Sequence, residues 1–595
     1  MSYTAPVDDI MLALKSVGGI DAAHAVEACR GLDAETIRTI IEEAARFGSQ
    51  VLAPLNSTGD AAGCQHSPDG TVTTPPGWID AYRGFVAGGW SALPCPEAYG
   101  GQDLPEIVSS AVGEIWNAAN LSFGLCPLLT QGAIHALAIG GSDALKARYL
   151  PRLISGEWAG TMNLTEPQAG SDLSEVRTRA VPAADGTVYR LFGTKIFITY
   201  GEHDLTANIV HLVLARLPDA PAGTRGISLF LVPKWLVDDD GSLGARNDVV
   251  CTGLEAKLGI HASPTCVMSF GETTGAIGYL VGEPNRGLQT MFIMMNAARL
   301  AVGVQGVAVA DRATQHATRY AMERRQGRPP GDRAASGPVA ILAHADVRRM
   351  LLEMRAKTAA ARMLCCATAA ALDAARAAPD PAMAERAANR AALLTPVAKA
   401  FATDIACEVA SLGVQVHGGM GFIEEMGAAQ FYRDARILPI YEGTNGIQAI
   451  DLVTRKLPLA GGETMRNYLD DLEDVLAEVE AAGRPELRRT AERIGAALAA
   501  LAEADDWMGR ALARKPDAAL AGATTFLRLF ALAAGGCYLA RAALVAAREP
   551  GDPARAIACA RFFAEHLATA APGLALSVMD GAGAILDCPP DVLRA

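Results

Sequence analysis

The chain has 595 residues, of which 50% are hydrophobic and 20% charged. This is an ordinary globular composition, in a chain too long for a single hydrophobic core. The formal net charge of −13 argues against general nucleic-acid binding, which needs an excess of Lys and Arg to neutralise phosphates.

In chain order, the sequence predicts helices, a β-domain and then helices again. Short β-branched stretches such as KIFIT, NIVHLVLAR and GISLFLVP mark the β-domain, and Ile227, Leu229 and Leu231 alternate with their neighbours as in a strand with two unlike faces. The fold class is therefore mainly α with a central β-domain. The predicted domains are an N-terminal helical domain (1–158), a central β-domain (159–282), a helical bundle (283–457) and an additional C-terminal helical domain (458–595).

Features of the chain ends and of the cysteines predict the compartment. The start of the chain lacks the basic segment and apolar core of a secretory signal. The apolar run Leu529–Ala547 is broken by Arg541, which favours a buried helix over a membrane span. The twelve cysteines are scattered without zinc-type spacing, and the adjacent Cys365 and Cys366 are typical of buried, reduced thiols. We therefore expect a cytoplasmic protein with no metal site and no stable membrane association.

The usual catalytic and nucleotide motifs do not occur: neither a P-loop nor GxGxxG, HExxH or GxSxG is present. Three other segments carry polar or aromatic groups suited to chemistry. In MNLTEPQAGSD, Thr165, Ser171 and the Gly170 backbone could donate hydrogen bonds to a heterocycle or a diphosphate, although a turn entering the β-domain explains the segment equally well. In KIFITYG, Phe197 and Thr199 could stack on a ring and donate one hydrogen bond to it, but a plain strand has the same pattern.

The third segment, RDARILPIYEGTNGIQ, places Glu442 at the end of an apolar stretch. A partly desolvated carboxylate has a raised pKa and is a better base near neutral pH. Gly443 would let the backbone approach a ligand closely. The alternative is a surface turn in which Glu442 caps a helix.

Taken together, the segments TEPQAGSD, KIFIT, KLGIHASPT, YAMER, GGMGF and IYEGTNGIQ occur in an order that resembles the acyl-CoA dehydrogenase family. The likeness covers about Ile40–Lys456. Further stretches, LAPLNSTGDAAGC, ANLSFGLCPLLTQGA and ERRQGR, together with the extra C-terminal module, resemble the subgroup of 3-methylmercaptopropionyl-CoA dehydrogenases. The usual phenylalanine before the glycine is absent at Gln326–Gly327, as in that subgroup.

The resemblance implies an FAD cofactor. The Met162–Thr165 backbone and Ser171 would contact the flavin ring and diphosphate, and Thr199 would bind near N5. Arg324 would reach the diphosphate across a subunit interface, and Gln415 with Gly418 and Gly419 would meet the adenosine end of a neighbouring subunit's FAD. The implied cofactor residues are Met162, Leu164, Thr165, Ser171, Phe197, Thr199, Arg324, Gln415, Gly418, Gly419 and Thr444. A homodimer or homotetramer is therefore expected.

Glu442 matches the family's base, which takes the α-proton while the β-hydrogen leaves as hydride. The Glu442 backbone N–H and a ribityl hydroxyl of FAD would stabilise the enolate-like oxygen. Some members carry the base on the helix that corresponds to Met291–Leu300, but no carboxylate occurs between Leu288 and Leu300 here, which supports Glu442 as the base. The implied substrate-binding residues are Ser171, Arg299 and Gly443.

Three other functions fit the same sequence. An acyl-CoA oxidase or nitroalkane-type oxidase shares the fold and passes electrons to O₂. A non-catalytic acyl-CoA-binding relative would keep the fold alone, and a membrane-held enzyme would use the Arg content of the C-terminal module. For the dehydrogenase, we expect an acyl-CoA substrate and an electron-transferring flavoprotein as acceptor, and the subgroup resemblance implies a short acyl chain that carries a thioether.

Overall fold

The computed structural model describes residues 3–19, 31–184, 186, 188–330 and 337–594. These fall into two compact units. The β unit comprises Arg46–Leu104 and Ala119–Ala298, and the helical unit comprises Tyr3–Ala45, Pro105–Ala118 and Arg299–Ala595. The predicted loop Arg328–Pro338 lies in part outside the described residues.

The helices fall in two blocks, before and after the sheet. Those of the first block are α1 Val7–Ser16, α2 Ala34–Phe47, α3 Ala53–Ala62, α4 Trp78–Ala87, α5 Glu106–Ala119, α6 Leu121–Gly140 and α7 Asp143–Ile154. Two of these helices begin at a capping residue. The Asn120 side chain accepts a hydrogen bond from Phe123 N at 3.1 Å at the start of α6, and the Ser142 side chain accepts one from Leu145 N at the start of α7.

Twelve strands are described. They are β1 Gln65–His66, β2 Val72–Thr73, β3 Trp158–Asn163, β4 Arg179–Pro182, β5 Tyr189–Thr199, β6 Asn208–Arg216, β7 Ile227–Pro233, β8 Trp235–Val237, β9 Leu243–Arg246, β10 Val249–Leu254, β11 Thr265–Phe270 and β12 Ala276–Val281. Eight of them form one sheet in the order β10-β11-β5-β12-β7-β6-β3, with β4 beside β5 and β6. Neighbours are antiparallel except where β6 pairs with β3 and β4.

Strand β7 lies in the middle of this sheet and is buried along its whole length. Ile227, Leu229 and Leu231 pack into one hydrophobic cluster with the helices α6 and α7, whereas Phe230 and Val232 pack into a second cluster on the opposite face. The alternation seen in the sequence therefore separates two cores rather than a core from solvent.

The second block of helices begins with three long ones, α8 Gly287–Glu323, α9 Ala345–Ala377 and α10 Pro381–His417. Eight more follow, namely α11 Ala428–Ala435, α12 Asn445–Asp451, α13 Glu463–Ala481, α14 Arg488–Arg514, α15 Pro516–Ala546, α16 Ala554–Phe562, α17 Ala571–Asp580 and α18 Ala582–Leu586. Asp380 caps α10 by accepting from Ala382 N and Met383 N, with Pro381 at the first helical position. The predicted order, helices then a β-domain then helices, is confirmed.

Four helical segments in the described part of the chain have the length and hydropathy of a membrane span. The most apolar is α15, and 83% of its apolar window is buried inside the protein. Cys365 and Cys366 on α9 are buried, and burial raises the pKa of the Cys366 thiol to about 12. Both observations agree with the sequence prediction of buried apolar helices.

Candidate active site

Glu442 lies in a tight turn between α11 and α12. The backbone is left-handed at two successive residues, with φ 56° at Glu442 and 86° at Gly443. The left-handed φ at Gly443 favours glycine, and a Cβ there would also displace the Gln448 side chain, whose Nε2 would lie 2.8 Å away. Thr444 caps α12 by accepting from Ile447 N at 3.3 Å. The alternative in which Glu442 is the capping residue is therefore wrong.

Buried polar side chains form hydrogen bonds to the backbone of this turn. Lys399 of α10, a fully buried lysine, donates to the carbonyl oxygen of Gly443 and to Asn445 Oδ1, both at 2.9 Å. Gln448 Nε2 donates to the carbonyl oxygens of Glu442 and Gly443 at 3.2 Å. The side chain of Asn445 is fixed in turn by Asp404 Oδ1 at 2.7 Å. The strained turn is thus stabilised by contacts that do not involve the Glu442 carboxylate.

Burial raises the pKa of Glu442 to about 7, against the opposing effect of Arg299 and Lys399, whose charges favour the carboxylate. Arg299 is buried and pairs with Asp451 at 3.4 Å, and Asp451 also pairs with Arg455 at 2.5 Å. Burial likewise lowers the pKa of Lys399 to about 7. A carboxylate whose pKa lies near neutrality is suited to accept a proton from a weak carbon acid.

In the β unit, the structure brings the two predicted cofactor segments together. Ile196 N donates to the carbonyl oxygen of Thr165 at 3.0 Å, and Lys195 Nζ donates to the carbonyl oxygen of Leu164 at 3.0 Å. Met162 is half-buried near the end of β3, and Thr199 pairs with Thr265 of β11. Ser171 lies beyond this junction, where it is exposed.

Phe197 marks a bulge in β5. The register between β5 and β11 shifts so that Ile196 and Phe197 together face a single residue of β11. Phe197 has φ 61°, and 57% of its surface is exposed. An aromatic ring held outward on a left-handed backbone is costly and offers a flat surface to a ligand.

The carboxylate of Glu166 fixes the loop that follows β3 by accepting several hydrogen bonds. Its carboxylate accepts from Lys195 Nζ at 2.7 Å, from Thr178 Oγ1 at 2.6 Å and from Arg177 N at 2.8 Å. Burial alone would raise the pKa of Glu166, but Lys195 and these hydrogen bonds outweigh burial and hold it at about 2. The ion pair therefore fixes the Leu164–Thr165 carbonyls beside β5.

The other predicted cofactor residues lie at two helix ends of the helical unit. Arg324 follows α8 and is exposed, Gln415 is exposed in the last turn of α10, and Gly418 and Gly419 follow in a 3₁₀ turn. The rings of Tyr320 and His417 stack at 4.3 Å and bring these two ends together. A Cβ on either glycine would meet open space.

Sequence reasoning missed the supporting groups, namely Lys399, Gln448 and Asp451 around Glu442 and the Glu166–Lys195 pair. A signal was present for Lys399, because it is a lone charge within the apolar run of α10 from Leu393 to Ala402. Lys195 likewise opens an apolar strand segment. Buried lysines are rare unless paired, so each of these two lysines predicts a buried partner.

Four family models match consecutive parts of the chain. They are Acyl-CoA dehydrogenase, N-terminal domain (residues 34–157); Acyl-CoA dehydrogenase, middle domain (161–273); Acyl-CoA dehydrogenase, C-terminal domain (285–457); and Acetyl-CoA dehydrogenase C-terminal like (468–589). The matches thus extend through the additional C-terminal module.

One relative is similar to the chain in sequence, and two solved structures are similar to it in fold. The chain is 52% identical to 3-methylmercaptopropionyl-CoA dehydrogenase of Ruegeria pomeroyi over 92% of each chain. Caenorhabditis elegans ACDH-11 in complex with C11-CoA has a similar fold, with a TM-score of 0.76 and 21% identity, over 95% of this chain and 92% of that one. An acyl-CoA dehydrogenase complexed with FAD from Bacillus anthracis matches with a TM-score of 0.69 and 23% identity, over 87% and 84% of the two chains.

Proposed function

Since the chain belongs to the acyl-CoA dehydrogenase family, we propose that it oxidises the Cα–Cβ bond of a short acyl-CoA thioester with FAD, and that 3-methylthiopropanoyl-CoA is its preferred substrate. The observation that carries the proposal is the Glu442 turn. A carboxylate with a pKa of about 7 lies on a backbone that the protein holds in a strained conformation. The product would be the trans-2-enoyl-CoA.

Glu442 would accept the α-proton of the thioester. Within the described part of the chain, no side chain donates a hydrogen bond to the Glu442 carboxylate, and the charges of Arg299 and Lys399 favour its ionised form. The base is thus kept half ionised near pH 7 while its oxygens stay available to a substrate. Lys399 and Gln448 hold the turn, so that the carboxylate keeps one position relative to the α-carbon.

The backbone N–H of Glu442 can stabilise the thioester oxygen. Among the described residues it has no acceptor, whereas the N–H groups of Tyr441 and Asn445 on either side donate to Ile437 and Pro439 carbonyls. An unpaired N–H beside the base suits the negative charge that develops on the carbonyl oxygen as the α-proton leaves. Proton removal and charge stabilisation would then depend on one residue.

The residues of the β unit fit a flavin. Phe197 presents an aromatic face, and the Met162–Thr165 segment beside it is fixed by Lys195. These residues would hold the ring system, with Thr199 near its reactive edge and Ser171 near the diphosphate. FAD, when bound, accepts the β-hydrogen as hydride.

The preference for 3-methylthiopropanoyl-CoA is supported by the 52% identity to the Ruegeria pomeroyi enzyme, which extends through the C-terminal module. That enzyme is named for the dehydrogenation of this thioester. The match covers 92% of both lengths, so the two chains correspond over nearly their whole extent.

We also propose that the enzyme is a homodimer or homotetramer that passes electrons to an electron-transferring flavoprotein. Support for the oligomer comes from the 3₁₀ segment after Gly418 and Gly419, where Met420, Phe422 and Ile423 are exposed. Contiguous exposed apolar side chains are typical of an interface. The cytoplasmic location stays a prediction.

The test is an anaerobic absorbance titration of the FAD-loaded protein with a panel of acyl-CoA thioesters. We expect 3-methylthiopropanoyl-CoA to bleach the flavin band at the lowest concentration, with pentanoyl-CoA, in which a methylene replaces the sulfur, as the isosteric comparison. Bleaching by another member of the panel alone would overturn the substrate assignment. Rapid reoxidation in air would identify an oxidase, and a chain that takes up no FAD would be a binding relative.

A further inference from the structure

A cavity of about 280 Å³ lies within the helical unit, among α9, α10, α15 and the segment that follows α16. Its apolar wall includes Phe401 and Ile405 of α10, Leu532 of α15, and Phe563. Of the ten residues that line it, seven are apolar and three are basic. The cavity belongs to neither the Glu442 turn nor the β unit.

The basic residues are Lys357, Arg528 and His566. Arg528 pairs with Glu408 through Nη1 at 2.8 Å and through Nη2 at 3.2 Å, and its guanidinium lies 5.5 Å from the centre of the Phe401 ring. Lys357 Nζ lies 2.7 Å from the same glutamate. Glu408 therefore ties α9, α10 and α15 together.

The ion pairs do not use all the hydrogen-bond donors of Arg528 and Lys357. A guanidinium has five N–H groups and an ammonium three. Among the described residues, Glu408 is the acceptor for Arg528, and Glu353 and Glu408 are those for Lys357. The ion pairs therefore use only some of the N–H groups of Arg528 and Lys357, and the others could donate to an oxygen of a bound ligand.

The segment Phe563–Leu567 is one turn of π-helix, directly after α16. It supplies Phe563, His566 and Leu567 to the cavity wall, and the His566 ring stacks on Phe562 at 4.5 Å. Single π-turns are uncommon and occur often at functional sites, because the extra residue redirects side chains. Here the turn directs an imidazole and two apolar side chains toward one space.

From this arrangement we infer that the junction of the bundle with its C-terminal module is a binding site for a small amphipathic carboxylate, whose chain would pack on Phe401, Leu532 and Phe563 and whose carboxylate would meet Arg528. The volume lies near the lower end of ligand pockets, which span about 300 to 1,000 Å³, so the ligand is small. The site is independent of the proposed dehydrogenase activity.

The test measures binding of octanoate to the FAD-loaded full chain by isothermal titration calorimetry, with octanol as the uncharged comparison. Saturating acetyl-CoA, which has no β-carbon to oxidise, is present to occupy the CoA site. We expect octanoate to bind at least about tenfold more tightly than octanol, the size of one charge-assisted hydrogen bond. Equal binding of the two probes, or no binding of octanoate at millimolar concentration, would overturn the inference.

Two pairs of variants locate the bound probe. Ala570→Trp fills the cavity from its exposed rim and should abolish binding, whereas Leu576→Trp, an exposed position of α17 outside the cavity, should not. Arg528→Gln should lower octanoate affinity about tenfold and leave octanol unchanged. Arg541→Gln, on the same helix and paired with Glu478, is its control. Octanoate binding that survives Ala570→Trp would place the probe elsewhere and contradict the site.

Discussion

Lys399 donates a 2.9 Å hydrogen bond to the carbonyl oxygen of Gly443, the residue that follows the proposed base Glu442. The lysine is fully buried, and burial lowers its pKa to about 7. Its ammonium therefore has two effects on Glu442: it fixes the left-handed turn that carries the carboxylate, and it favours the ionised form of that carboxylate. The two effects can be separated by experiment.

Glu442→Gln removes the proton acceptor and keeps the turn. The rate of flavin reduction by acyl-CoA should fall by about 10² to 10⁴-fold or more, while FAD content and acyl-CoA affinity are kept. Stopped-flow absorbance under anaerobic conditions measures the rate. Glu425→Gln, on the exposed segment before α11, is the control. A near-normal rate in Glu442→Gln would show that another group takes the α-proton.

Lys399→Met should change the pH dependence as well as the rate. The proposed base can accept a proton only when it is ionised, so flavin reduction in the wild type should rise as the pH increases through about 7. Loss of the neighbouring positive charge disfavours the carboxylate, and the midpoint should move to higher pH. The measurement is the reduction rate at saturating substrate across the pH range.

The control for this variant is Lys357→Met, which removes another lysine of low exposure that pairs with Glu353 and Glu408. Its pH midpoint should equal that of the wild type. A slower Lys399→Met variant with an unchanged midpoint would mean that the lysine acts on the geometry of the turn alone.

The sequence singled out Glu442 and predicted the order of the elements because both signals are local. The apolar run that ends in Glu442 and Gly443 begins at Ile437, and helical periodicity is visible along α8 and α10. The supports of the base could not be predicted in the same way, because Lys399 lies 44 residues before its acceptor. Such long-range partners depend on how the helices pack, which periodicity does not determine.

Prediction from the sequence reached the same limit in the β unit. The sequence singled out Phe197 as a ring-stacking residue, but nothing in KIFIT indicates a bulge or a left-handed φ at this position. The bulge arises from the register with β11, whose residues lie about 70 positions further along the chain. The Glu166–Lys195 pair joins two segments that the sequence had marked separately.

Glu166→Gln should destabilise the protein by about 3 to 5 kcal/mol, because it leaves the buried Lys195 ammonium without its counter-ion. Urea unfolding measures the loss, and Glu424→Gln, in an exposed pair with Arg433, should cost at most about 1 kcal/mol. In the folded protein the pKa of Glu166 is about 2, below its ordinary 4.5. The stabilisation is therefore present above pH 4.5 and is lost as the pH falls toward 2.

The difference between wild type and Glu166→Gln should accordingly shrink as the pH is lowered below about 4.5. The double variant Glu166→Gln/Lys195→Met should recover part of the stability, since it removes the uncompensated charge as well. A stability difference that does not depend on pH would contradict the role of the ionised carboxylate.

Phe422→Asp tests the proposed subunit interface. Phe422 is 85% exposed in the segment that carries Gly418 and Gly419, and a charge placed in an apolar interface is costly. We expect the variant to sediment as a smaller species and to lose FAD on dilution. Ile585→Asp, an exposed apolar position on α18, is the control. An unchanged mass would exclude this segment from the interface.

Phe197→Gly should separate stability from cofactor binding. A left-handed backbone costs a non-glycine residue about 1 to 2 kcal/mol, and glycine adopts it without that cost. Because 57% of the Phe197 surface is exposed, loss of the ring removes little packing, so the apoprotein should unfold at an equal or higher urea concentration. FAD should nevertheless dissociate more readily, as measured by flavin fluorescence after gel filtration.

Ala460→Gly, at φ 49° in the helical unit, relieves the same kind of strain and should leave FAD retention unchanged. Full FAD retention in Phe197→Gly would mean that the bulge exists for some purpose other than presenting this ring to the flavin.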